Sequence, residues 1–469
     1  MQSTLKTSLL GSSLQEARKL AMSSPPPAHV LLVSAPLQGH INPLLVLARR
    51  LASRGLLVTF CTVPHAGLRF KHDDGEVTGV GRGTLRFEHL RFGGGGLWDG
   101  LDDMMRHLKD AAPAALAELI RRQAGAGRPV ACVVANAFVP WALRVAGDMG
   151  LPHAVLWTES CAVLSLYYHY FRSLAAFPSG DAGPDAPVAV PGLPTLATGD
   201  LPVLIHAPER FLWRQVLVED LRCLRETVSW VLVNTFDELE RAAAEALRAH
   251  LPILPVGPLF GVENHGGRDD AVAWLDAQPP RSAVFVAFGS LLKISGDEMA
   301  ELAEGLAATG RPFLWVVRDD NRDALPDGDR LLAAATGRGK VVAWCEQGLV
   351  LSHPAVGCFV THCGWNSTTE ALAAGVPVVA YPGWADQPTN ARFLTDVYGV
   401  GVRLPRPLAR EALRRCVEEV MSGPEAEATR ESAGKWKDEA SAALADGGSS
   451  DMGTQKFVDA VMSLVAGTE

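Results

Sequence analysis

Residues 29–61, HVLLVSAPLQGHINPLLVLARRLASRGLLVTFC, carry the pattern from which the fold follows. His29–Ala35 is a continuous apolar run, as expected of a parallel strand buried on both faces. Pro36–Ile41 reads as a loop. Asn42 and Pro43 read as a helix cap followed by proline at the first helical position, where its missing N–H costs nothing. Leu44, Leu45, Leu47, Ala48 and Leu51 give the helix an apolar face, Gly55 ends it, and Leu56–Cys61 supplies a second strand. This is a βαβ opening, with His40 at the carboxyl end of its first strand.

The same alternation continues outward. Strands are expected at Val130–Ala135, His153–Trp157 and Trp230–Asn234, with helices at Met104–Arg122, from Pro140, and at Asp237–His250. Gly93–Gly96 reads as a flexible loop, and residues 178–204, rich in Pro, Gly and Asp, as loop throughout. Pro252–Pro258 and the polar GVENHGGRDD after it look like a linker. Beyond it a second series begins at Ala283–Phe288 and continues at 313–317, 340–343, 356–361 and 377–381, before a final amphipathic helix at Asp451–Val465. The expected architecture is α/β, with two Rossmann-like doubly wound domains facing each other across a cleft. Residues 28–258 form the first domain, 259–450 the second, and 451–469 a terminal helix. In such sheets ligands bind outside the carboxyl ends of the strands.

Composition narrows the function classes. The 469 residues are too many for one core, and hydrophobic residues make up 48% without any run long enough to span a membrane. A net charge of -9 argues against a nucleic-acid surface. Eight scattered cysteines without a CxxC pair suggest reduced, buried thiols, a cytoplasmic compartment and no metal site. Residues 1–27, Ser-rich and ending in Pro25-Pro26-Pro27, read as a disordered leader or as sequence ahead of a start at Met22; their apolar content is too short for a signal peptide. A monomer is expected.

The chemistry concentrates in residues 344–387, WCEQGLVLSHPAVGCFVTHCGWNSTTEALAAGVPVVAYPGWADQ. After the 356–361 strand, Gly364 permits a tight turn, and Asn366 and Ser367 open a helix whose free N–H groups and positive dipole end suit a phosphate. His362 adds a donor. Glu370, one turn along on the face of Asn366, suits ribose hydroxyls. Trp344 offers a flat face to a nucleobase, Gln347 follows it closely, and Asp386 with Gln387 suits a polyhydroxylated group. Alone, Trp344 would be core packing, Asn366-Ser367 a helix cap and His362 a polar core residue; jointly they describe a nucleotide-sugar cradle.

The stretch resembles the signature box of plant secondary-product glycosyltransferases, the UDP-sugar-dependent family one enzymes. The preceding Phe288-Gly289-Ser290 and the early QGHINP are similar too, so the resemblance covers nearly the whole chain. It implies a GT-B fold, UDP-glucose as donor co-substrate, no tightly bound cofactor, and a small-molecule acceptor. It places Trp344 and the Cys345 backbone on uracil, and Gln347 and Glu370 on ribose. Ser290, His362, Asn366 and Ser367 fall on the diphosphate; Trp365, Asp386 and Gln387 on the sugar, Gln387 resembling glucose users.

The resemblance also implies that His40 is the general base, with inversion at the anomeric carbon. Relatives pair that histidine with an aspartate where this chain has Asn136, which could orient the imidazole but not balance its charge; in the serine-protease template such a change costs about 10⁴. Glu159 is a candidate substitute. An ionised carboxylic acid needs less help than a phenol, and ANAFVPWALRVA with WTESCAVLSLYYHY is similar to the branch that makes glucose esters of aromatic acids. The leading expectation is therefore ester formation, with Trp141, Trp157 and Tyr167 as candidates for the acceptor pocket or for core. Glucosylation of a phenolic or terpenoid hydroxyl, and a nucleotide-sugar binder without catalysis, are the alternatives.

Overall fold

Side chains alternate between the two faces of a strand, and both faces of His29–Val33 are buried. Val30 and Leu32 pack with Ile41, Leu44 and Leu51 of the following helix, while Leu31 and Val33 enter the core on the opposite face. The computed structural model describes residues 27–65, 70, 72–93, 98–179, 182–261, 270–318 and 338–466. In it this strand lies inside an eight-stranded sheet. The order is Ile253–Pro255, Trp230–Val233, His153–Trp157, Cys132–Asn136, His29–Val33, Leu57–Thr62, Gly83–His89 and Val77–Val80. Neighbours are parallel except for the last pair, which is antiparallel.

A second, six-stranded parallel sheet runs Gly339–Val342, Phe313–Val316, Ala283–Ala287, Val356–Thr361, Val378–Ala380 and Gly401–Arg403. Each sheet starts in the middle, winds outward one way, then returns and winds the other. The reversal falls between His29–Val33 and Cys132–Asn136 in the first sheet. In the second it falls between Ala283–Ala287 and Val356–Thr361. Crossovers leave such a point on opposite sides of the sheet, which opens a crevice at the strand ends.

The last helix, Ser449–Ala466, returns to the first sheet. Its Phe457, Val458 and Val461 join Val30 and Leu32 in one core. Gly453 permits the approach, because a Cβ there would lie 2.0 Å from the Pro255 carbonyl oxygen.

Three local expectations change. The first helix spans Gln38–Ser53, so His40 lies in its first turn and Pro43 inside it. The Ile41 N–H already donates to the Leu37 carbonyl at 2.9 Å. Asn42 does not cap; its side-chain oxygen accepts from Gln38 Nε2 at 2.5 Å. The stretch expected as linker begins as the Ile253–Pro255 edge strand, a position that tolerates proline. The 178–204 loop contains a small ladder, Pro187–Val188 with Leu196–Ala197, and short 3₁₀ turns at Thr198–Asp200 and Val203–Ile205. The leader up to residue 26, most of the Gly93–Gly96 loop and residues 262–269 lie outside the described residues. All eight cysteines are buried and none forms a disulfide. Among the described residues, no helix is long and apolar enough to cross a membrane.

Phe457 is wholly enclosed and meets Trp230 edge to face, with ring centroids 5.5 Å apart. Phe457→Ala is therefore expected to cost about 3–5 kcal/mol in equilibrium urea unfolding. A loss below about 1 kcal/mol would show that the terminal helix is not part of this core.

Candidate active site

Asn136 ends its strand at the first reversal point, and its whole side chain serves the turn beside it. Its Oδ1 accepts from the Ala35 N–H at 3.1 Å, while Nδ2 donates to Ser34 Oγ at 3.1 Å and to the His40 carbonyl at 3.2 Å. The expected hydrogen bond to the imidazole is absent, because the amide is spent on the backbone that carries it. His40 Nδ1 is buried without a partner. The ring instead meets Phe138 edge to face, with centroids 6.0 Å apart. Phe138 has a left-handed φ of 69°, and its N–H donates to Asp220 Oδ2 at 2.6 Å.

Burial, which disfavours the charged ring, lowers the His40 pKa from 6.5 to about 4. Glu159 does not act as its counter-ion. Burial, and then Asp386 and Asp220, push that carboxyl well above the usual carboxylate range, and Oε2 is buried without a partner. Trp157 and Tyr167 are fully buried and edge to face, and Trp141 is buried as well, so their bodies are core. Only the Trp141 Nε1 and Tyr167 hydroxyl tips lack partners.

At the second reversal point the chain passes from Val356–Thr361 into the helix Trp365–Ala374. The left-handed residue of this turn is Cys363, with φ 65°, whereas Gly364 has an ordinary φ of −60°. Gly364 is needed for space: a Cβ there would lie 2.5 Å from His362 Nε2, as would one on Gly289. The His362 ring thus sits close to two glycine loops. Burial first, then Arg318, lower its pKa to about 4. Ser290 is exposed beside Gly289.

Asn366 and Ser367 occupy the first turn of that helix, where N–H groups lack helical partners. Gln347 Nε2 donates to Ser367 Oγ at 2.9 Å and to Glu370 Oε2 at 2.5 Å, joining three residues expected on the donor. Burial raises Glu370 to about 7, opposed by the Gln347 hydrogen bond. Trp344 keeps 37% of its surface exposed next to buried Cys345. Asp386 Oδ2 accepts from Asn390 Nδ2 at 2.6 Å, and burial raises this carboxyl to about 6. Gln387 Oε1 accepts from the N–H groups of Gly383 and Trp384 at 2.8 and 3.0 Å, which shapes the loop before it.

Trp365 departs from expectation. Its indole is buried and Nε1 donates to the Asn234 carbonyl at 2.7 Å, so only its backbone faces the helix start. Asn390 was not expected. It donates to the Cys363 carbonyl at 2.9 Å as well as to Asp386, tying the two loops together. Its i+4 spacing from Asp386 was the available signal.

Direct contacts bring the two halves together. Asn366 Nδ2 donates to the Gly39 carbonyl at 2.8 Å, which sets the 362–370 stretch against the His40 turn. Further out, the Val203 N–H donates to the Ala385 carbonyl at 2.9 Å. Thr389 Oγ1 donates to the Asp200 carbonyl at 2.6 Å, and Arg403 Nη1 pairs with Asp200 Oδ1 at 2.7 Å. Among the described residues, no group of His, Cys, Asp and Glu is arranged to hold a metal ion.

Because the folded-state pKa of His40 lies below its ordinary value, the ring stays neutral from alkaline pH down to about 5. In NMR titration its imidazole signal, assigned by its loss in His40→Gln, should move with a midpoint near 4; a midpoint near 6.5 would refute control by burial. Asn136→Asp should lose about 1–3 kcal/mol of stability in urea unfolding, since a carboxylate would face the His40 carbonyl without a proton to give and would need the Ser34 hydroxyl to turn away from the Ala35 carbonyl. Unchanged stability would show that these bonds are dispensable.

Comparison with known proteins places this geometry. The family model for UDP-glucoronosyl and UDP-glucosyl transferases matches residues 251–431. A gallate 1-beta-glucosyltransferase of Punica granatum is 41% identical over 94% of this chain and 90% of its own length. A cinnamate beta-D-glucosyltransferase of Fragaria ananassa is 39% identical over 95% and 84%. A crystal structure of an O. sativa protein in complex with UDP superposes with a TM-score of 0.80 at 31% identity, covering 92% of this chain and all of that one. With two facing Rossmann-like domains of GT-B type and relatives aligned along nearly its whole length, the chain belongs to the UDP-glucoronosyl and UDP-glucosyl transferase family.

Proposed function

We propose that the protein transfers glucose from UDP-glucose to the carboxylate of a small aromatic acid, inverting the anomeric carbon and releasing UDP with a 1-O-acyl-glucose ester. The observation that carries the acceptor class is the state of His40. Burial lowers its imidazole pKa to about 4, Nδ1 has no partner, and among the described residues no carboxylate pairs with it. A ring kept neutral by burial is a weak base, which suits an acceptor already ionised at neutral pH, as an aromatic acid is, better than a phenol. A carboxylate arrives already deprotonated, so the ring need only orient it. The names of the gallate and cinnamate relatives agree with this choice.

The same reading takes the donor roles that the family resemblance implies. The exposed Trp344 face receives uracil, with the Cys345 backbone at its edge. Gln347 and Glu370 hold ribose. The diphosphate lies at the start of the 365–374 helix, among Ser290, His362, Asn366 and Ser367, where helix N–H groups and the dipole favour an anion. Asp386, Gln387 and the Trp365 backbone hold the sugar. As the acceptor oxygen bonds to the anomeric carbon, the bond from that carbon to the UDP oxygen breaks and its electron pair leaves with UDP. The reaction takes place in the cytoplasm, in a monomer, without a tightly bound cofactor.

Incubation with UDP-glucose and a panel of aromatic acids and phenols tests this. Acids should yield glucose conjugates that mild alkali or hydroxylamine cleaves. Conjugates formed mainly from phenols and stable to hydroxylamine would replace the ester by a glucoside. UDP binding without UDP release for any acceptor would make the protein a nucleotide-sugar binder.

A further inference from the structure

Inside an α-helix each carbonyl accepts from the N–H four residues on. Pro43 has no N–H, so the Gly39 carbonyl of the 38–53 helix has no helical donor. The structure fills that gap from the other domain, with Asn366 Nδ2 at 2.8 Å. The next carbonyl, that of His40, receives Asn136 Nδ2 at 3.2 Å. Two consecutive carbonyls are therefore held by side-chain amides, one from each domain. The imidazole between them has no hydrogen bond at Nδ1, so its placement follows from this backbone and from packing on Phe138.

Asn366 is also the second residue of the helix that opens the donor site, and its Oδ1 is buried without a partner. A carboxamide nitrogen carries two hydrogens. One is committed to Gly39, which leaves the other for an oxygen at the helix start. We propose that Asn366 is a positioning residue for His40: it holds the carbonyl that Pro43 leaves free and so ties the imidazole to the occupant of the nucleotide-sugar site. This rests on the donor site and the His40 role proposed above. A bond that merely docked two domains would affect stability. A shared amide also makes the acceptor side respond to the donor, so that the base is aligned when there is a sugar to transfer.

Pro43→Ala provides the discriminating test, because it lies outside the donor site and restores an N–H aimed at Gly39. Wild-type protein is first assayed for UDP affinity by calorimetry and for turnover with an aromatic acid. Absence of UDP binding would sink the functional reading and this inference with it. Where both are present, Pro43→Ala should keep the UDP Kd and the donor KM within about twofold while kcat falls about tenfold. Combining it with Asn366→Ala should lower kcat no further than Asn366→Ala alone. An unchanged kcat in Pro43→Ala, or two losses that multiply in full, would overturn the positioning role and leave the function standing. A second measurement avoids any folding defect in Pro43→Ala. Saturating UDP should shift the His40 imidazole NMR signal in wild type and not in Asn366→Ala; an equal shift in both would overturn the proposal.

Discussion

Parallel strands that are covered on both faces leave only their ends to face solvent, and that constraint decides where this protein can do chemistry. Val30 to Val33 and Val284 to Val286 are enclosed by side chains from above and below, so a polar group within either run would be buried at a cost. At a reversal point the two crossovers part, and backbone groups at the strand ends are left to bind something. One sheet puts Asn136 and the His40 turn there, and the other puts Gly289, Ser290 and His362–Ser367. Asn366, reaching Gly39, brings the two ends face to face.

Burial then sets the charge of the site. Glu370 and Asp386 would, with their ordinary ionisation, place two negative charges at these strand ends. Burial raises Glu370 to about 7 and Asp386 to about 6, which lessens that charge, chiefly at Glu370. The same desolvation, with the Arg318 guanidinium nearby, keeps His362 neutral, so on the proposed reading an anion would meet the N-terminus of the 365–374 helix and the Arg318 charge rather than an imidazolium.

Much of this was legible in the sequence. Apolar runs bounded by Gly, Pro and Asn marked the principal parallel strands, and the density of hydrogen-bonding residues between Trp344 and Gln387 marked the strand ends that matter. The misreadings share one physical origin: local patterns do not state where a partner comes from. Gly364 looked like a turn residue, yet it is glycine because the His362 ring fills the space a Cβ would need. Trp365 was expected at the sugar; its indole is taken by the Asn234 carbonyl, which leaves only its backbone for that role. Asn136 looked like a weakened partner for an imidazole, yet it clamps a backbone turn.

The start of the first helix is the instructive case. Proline inside a helix removes one hydrogen bond and costs about 3 kcal/mol when nothing replaces it. On local grounds the helix should therefore begin at Pro43, and the sequence reads that way. The fold begins it at Gln38 because the vacated carbonyl is satisfied by an amide 327 positions away. That distant bond removes the penalty of an unpaired carbonyl, lets the helix extend back through Gly39 and His40, and carries His40 from a loop onto a regular element. The placement of the candidate base thus depends on both domains together. A helix of this sequence lacking the second domain would have good reason to start a turn later, with His40 outside it.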